Sequence, residues 1–170
     1  MNWDEISAIA DFLSAIAVVV SLLYLGRQIQ VSVRQQRMEG HRAVSEEFNR
    51  INEMWVDLEQ TGMMIRAWDN WEAATAQEQH IAAVLLIKAM NHLQTMYFMR
   101  QAHGIDESLY LAEEDFTCLL LATSGGKAWW SGFQGGFVEG LRNRINDRLA
   151  TEKFPPIKEA VPFWDAEKWK

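Results

Sequence analysis

An all-α fold, with one N-terminal transmembrane helix followed by a cytoplasmic helical bundle of about four helices, follows from three observations. Residues 6–25 form one apolar run, ISAIADFLSAIAVVVSLLYL, whose single charge is Asp11. Downstream, apolar residues recur at spacings of three and four and nowhere show the sustained two-residue alternation of a strand. The three prolines, Pro155, Pro156 and Pro162, stand near the C-terminal end, so nothing breaks long helices before residue 154.

The apolar run has the length of a membrane span. At about 1.5 Å per residue it covers about 30 Å, the thickness of a bilayer's hydrocarbon core. Asp11 costs roughly 3 kcal/mol near the middle of a span, whereas the run's Leu, Ile, Phe and Val residues each return about 0.3–0.6 kcal/mol. Eleven such residues outweigh one acid. A buried helix of a soluble protein would need a core that surrounds it on every side. A removed signal peptide fits less well, because Asp4 and Glu5 stand where a positive n-region belongs.

Charge sets the expected orientation. Residues 1–26 hold three acids and no Lys or Arg, whereas Arg27, Arg34, Arg37 and Arg42 follow with Glu39 as the one acid among them. The positive-inside rule then keeps the C-terminal side in the cytoplasm, with the four arginines meeting anionic lipid headgroups. Trp3 and Tyr24 suit the two interfaces. Cys118, the single cysteine, makes no internal disulfide, as a reducing compartment predicts.

The expected organisation is an anchor at 1–26, a basic juxtamembrane helix at 27–42, a helical domain at 43–153 and a packed tail at 154–170. From residue 43 onward the chain carries 12 Lys plus Arg against 19 Asp plus Glu, which excludes the basic face that nucleic acid demands. Val44, Phe48, Ile51, Trp55 and Leu58 share one helical face, with Gly62 as the expected stop. Thr75 and Glu78 have capping-box spacing ahead of Ile81, Val84, Leu85, Lys88, His92, Leu93, Met96 and Tyr97, and Gly104 follows as a stop. Asp106 can cap a helix through Leu109, Phe116, Leu119, Leu120 and Ala122, ended by Ser124, Gly125 and Gly126. A last helix is expected over 127–149, and the tail packs through Phe154, Phe163 and Trp164.

Candidate sites are of packing rather than chemistry. Ala10, Ser14, Ala17 and Ser21 form a stripe of small residues through which anchors can associate, with Asp11 as an intramembrane acid turned inward. Gly132, Gly136 and Gly140, spaced by four, would leave a smooth groove beside Trp129, Trp130, Phe133 and Phe137 for another helix, a lipid or a small ligand. No metal, cofactor or catalytic constellation emerges. Gly126 and Lys127 lack the rest of a phosphate-binding loop, His80, His92 and His103 lack ligand spacing, and Cys118 has no adjacent base. The carboxylate run Glu113, Glu114 and Asp115 reads as a solvated face.

Two stretches carry a resemblance: Ile16 to Leu25 running into Gln28, Ile29 and Gln30, and Gly125, Gly126, Ala128, Trp129 and Trp130 followed by Phe133 and Phe137. Together the chain resembles an uncharacterised family of small bacterial proteins with an N-terminal membrane helix and a helical domain carrying a Gly-Gly-x-x-Trp-Trp motif. The family pattern has a charged residue soon after the Trp pair, where this chain has Ser131, Gly132 and Gln134. The resemblance implies bacterial origin and architecture alone. The expectation is therefore a non-catalytic accessory, scaffold or assembly subunit that contacts membrane lipids and forms a homo-oligomer or joins a larger membrane complex. The alternative is a membrane-tethered sensor or binding module for a lipid or small apolar ligand.

Overall fold

The computed structural model describes residues 3–53, 57–161 and 164–165, apart from the side chains of Asp4, Glu5, Ile6, Ala8 and Asp11. Every regular element among them is helical: α1 (Trp3–Asn52), α2 (Leu58–Asp69), α3 (Ala76–Gln101), α4 (Glu107–Leu121), α5 (Ser124–Phe133), a 3-10 turn at Gln134–Gly136, α6 (Glu139–Thr151) and the single turn α7 (Ile157–Ala160). The chain divides into two compact units, residues 1–39 and 40–170. The first holds only the part of α1 before Gly40, with every described side chain exposed.

The second unit holds the core. Trp68, Met64 and Ile65 of α2, Leu85, Leu86, Met90, Leu93 and Met96 of α3, Tyr110 and Leu120 of α4, and Trp129 of α5 are almost wholly shielded from water. Helix α3 packs against α2, α4 and α5 and is the centre of the bundle. Its start is the expected capping box: Thr75 Oγ1 accepts from Glu78 N at 3.3 Å, and Thr75 N donates to Glu78 Oε2 at 2.8 Å. Arg66 Nε, on α2, donates to Glu78 Oε1 at 2.6 Å and ties the two helices together. The Thr75 backbone and Arg66 hold the Glu78 carboxyl below its ordinary value.

Several boundaries differ from expectation for local reasons. Gly62 lies buried inside α2 rather than closing a helix, because Asp57 starts a new helix by accepting from Gln60 N at 3.0 Å. Leu58 is accordingly exposed, and Trp55 and Phe163 fall outside the described residues. Asp106 precedes α4 but makes no side-chain cap, its carboxylate lying 3.3 Å from His41 Nε2 instead. Helix α4 stops at Leu121, and Thr123 caps α5 through Gly126 N at 3.0 Å, so Ser124, Gly125 and Gly126 begin a helix where a stop was expected. The expected 127–149 helix is two helices with the 3-10 turn between them. In the tail, Phe154 packs on the core and Trp164 stacks on Trp68 with ring centroids 4.8 Å apart.

The end of α3 is a Schellman motif. His103 N donates to Arg100 O at 3.0 Å and Gly104 N to Met99 O at 2.8 Å. The left-handed position belongs to His103, at φ 56°, and not to the neighbouring glycine. A side chain there costs about 1–2 kcal/mol. His103→Gly should therefore raise stability by up to about 1 kcal/mol and His103→Val should lower it by about 1 kcal/mol, read as opposite shifts of the unfolding midpoint. Equal shifts for the two variants would show that the local conformation is not strained.

Candidate functional site

Helix α1 contributes the largest unsatisfied surface. Ile9, Phe12, Leu13, Val18, Val19, Val20, Leu22, Leu23 and Leu25 are each more than half exposed. The Phe12–Asn52 portion is long and apolar enough to cross a membrane, and its most apolar window contains no buried residue. Ala10, Ser14, Ala17 and Ser21 are all exposed, as are Arg27, Arg34 and Arg37. Arg42, in the second unit, pairs with Glu46 at 2.8 Å on the surface. The side chain of Asp11 lies outside the described residues.

The tryptophan and glycine residues are arranged differently from the groove expected of a single helix. Gly132 lies in α5, Gly136 in the 3-10 turn and Gly140 in α6, so the three share no helical face. A Cβ at Gly132 or Gly136 would meet nothing within 4 Å. Close approach occurs elsewhere. A Cβ at Gly125 would stand 2.6 Å from Ala67 O, one at Gly126 would stand 2.1 Å from Leu120 O, and one at Gly140 would stand 2.3 Å from the Tyr97 hydroxyl. Trp129 and Trp130 are buried, whereas Phe133 is exposed and lies flat against Trp129 at 5.5 Å. Trp130 Nε1 donates to Asn146 Oδ1 at 2.7 Å and Asn146 Nδ2 donates to Gln134 Oε1 at 2.8 Å, so the pair is held as core.

A buried charge cluster is the feature that pattern reading missed. Glu114 is fully buried rather than solvated. It accepts from Arg144 Nε, from Arg144 Nη2 at 2.7 Å, from Arg148 Nη1 at 3.1 Å and from the Tyr110 hydroxyl at 2.7 Å. Arg148 also reaches Asp115 at 2.7 Å and Glu152 at 2.6 Å. Burial pushes the Glu114 carboxyl up, but the Arg144 and Tyr110 hydrogen bonds outweigh it and hold the group below its ordinary value of 4.5. Tyr110 is raised by burial and by Glu114, and burial pushes the Cys118 thiol up to about 12. Glu114, Tyr110, Arg144 and Arg148 satisfy one another by hydrogen bonds, whereas burial raises the neighbouring Glu113 carboxyl.

A cleft of about 520 Å³ lies where the C-terminal segment meets α2 and the α4–α5 junction. Trp68, Trp164, Ile65, Leu119 and Phe154 are among its walls, with Asp69 and Lys158 among its polar members. Its size suits a small ligand. Among the described residues, no three His, Cys, Asp or Glu side chains are grouped to hold a metal ion. Comparison with protein-family models, curated proteins and solved structures gives no match to the chain.

Removing the carboxylate of Glu114 strands two arginines. Glu114→Ala should cost about 3 kcal/mol, the lower end for breaking a buried pair because Arg144 retains some access to water. The wild-type contribution is present above pH 4.5 and is lost as pH falls below it, since the folded-state value lies lower than the unfolded one. Denaturation between pH 7 and pH 3 checks both, with wild type losing stability on acidification more steeply than Glu114→Ala.

Proposed function

We propose that this chain is a single-pass protein of the bacterial inner membrane that acts without catalysis, as an accessory, scaffold or assembly subunit. The observation that carries the reading is the first half of α1, an apolar helix whose large side chains are exposed along their whole length. Burial of each is worth about 1.5–3 kcal/mol relative to exposure, a driving force for transfer out of water. A bilayer satisfies it. Exposed Arg27, Arg34 and Arg37 supply the charge asymmetry for a cytoplasmic domain and contacts to anionic headgroups. The exposed Ala10, Ser14, Ala17 and Ser21 stripe supplies close packing between anchors, either of identical copies or of a larger complex. The acidic domain beyond residue 43 argues against a nucleic-acid partner.

The cleft beside Trp68 and Trp164 favours a second reading, a membrane-tethered binding module for a lipid or small apolar ligand. Its place differs from the Trp129–Gly140 segment that the sequence pointed to.

Native mass spectrometry of the protein extracted from membranes under mild detergent tests these readings. The expected result is a discrete homo-oligomer or a complex with a stable partner chain, reduced to monomer by Ser14→Leu with Ala17→Leu. A monomer that carries a bound lipid or small molecule supports the binding module instead. Complete release from membranes by an alkaline high-salt wash overturns the anchor.

A further inference from the structure

The last turns of α1 belong to the second unit and run antiparallel to α3. At one end a Cβ on Gly40 would meet Gly104 O at 2.6 Å and Met99 Cε at 3.0 Å, so only a residue without a side chain lets the helices come this close. Two turns further, the Phe48 ring lies 6.3 Å from the His92 ring of α3. Val44 and Ile51, on the same face as Phe48, join the core at 5% and 7% exposure. Below them sits a buried titratable group: His92 is 5% exposed, and its Nε2 finds no hydrogen-bond partner among the described residues.

We propose that residues 40–51 form an acid-sensitive clasp, closed on α3 over a neutral His92 and opened when His92 takes up a proton. A neutral imidazole can be covered by Val44, Phe48 and Ile51, because its ring is largely apolar. An imidazolium in the same seam holds a charge against hydrocarbon and a second N–H with no acceptor, and lifting α1 away admits water. Glu47 of α1 is the charged group that acts on His92 and favours its protonated form. It only partly offsets burial, which holds His92 below the ordinary value of 6.5. On α3 itself Lys88, one turn earlier, is exposed. At the far end of the seam His41 faces Asp106 at 3.3 Å on the surface.

The sign follows from linkage. With the folded-state value below 6.5, the closed clasp keeps its full stability above that pH, and one proton weakens closure by at most tenfold per pH unit below it. The test is hydrogen exchange by mass spectrometry on the full chain in phosphatidylcholine nanodiscs from pH 7.5 to pH 5, corrected for intrinsic exchange. Peptides covering 40–52 should lose protection by up to about tenfold per unit below pH 6.5, while those covering 85–96 stay protected. His92→Leu should make the 40–52 protection independent of pH, and Glu47→Gln should leave the onset near pH 6.5 and extend the loss to lower pH. Should His92→Leu misfold, the wild-type His92 ring is followed directly by NMR, where a midpoint below 6.5 that coincides with opening supports the clasp. A midpoint at or above 6.5, unchanged protection of 40–52 across the range, or simultaneous loss across the whole second unit would overturn it.

Discussion

The absence of two side chains decides where the second half of the domain lies. Between α4 and α5 the chain reverses over Ala122 and Thr123, and Gly125 and Gly126 come into backbone contact with Ala67, Trp68, Leu120 and Leu121. A methyl at Gly126 would overlap Leu120 O, so α5 could not keep this path against α4. The consequences run down the chain. The direction of α5 drives Trp129 and Trp130 into the core, Trp130 holds Asn146 of α6, and α6 delivers Arg144 and Arg148 to the buried Glu114. On the other side, Gly125 leaves room for Trp68, which Trp164 covers from the tail.

Polar groups in this core act as specifiers of position more than as sources of net stability. An apolar replacement of an entire buried ion cluster is often neutral or better, whereas removal of a single member is costly. Glu114 therefore fixes the register of α6 on α4 through two arginines one turn apart, and Gln94 Oε1 fixes its start by accepting from Val138 N at 2.9 Å. Capping works in the same way at Thr75 and Thr123, each of which accepts a hydrogen bond from the backbone N–H three residues on.

Local signals were readable in the chain, and long-range ones were not. The helical class and the Thr75–Glu78 box are consequences of neighbouring residues and follow from their spacing. Gly125 and Gly126 misled, because a glycine pair after an apolar stripe has the same appearance whether it ends a helix or permits a tight reversal into the next one. The glycines spaced by four misled in turn, since a 3-10 turn moves Gly136 and Gly140 out of phase with Gly132. Glu114 was hidden by its flanking acids, and its partners stand 30 and 34 residues away. A signal did exist: Tyr110, Glu114, Thr117, Cys118 and Leu121 form one helical stripe, and an acid on such a stripe requires a cation.

Cys118 gives this packing a chemical meaning. It is the chain's one thiol, fully buried, and burial near Glu114 and Asp115 keeps it protonated through the physiological range. Thiolate is the form that attacks disulfides and reacts with oxidants, so the thiol of a folded molecule stays inert. An opened molecule offers a fully ordinary cysteine with no second cysteine in the chain to receive it. Disulfide formation is thereby confined to molecules that have already lost their core, and each such event joins one damaged copy to another or to a small thiol rather than sealing a wrong fold within a single chain.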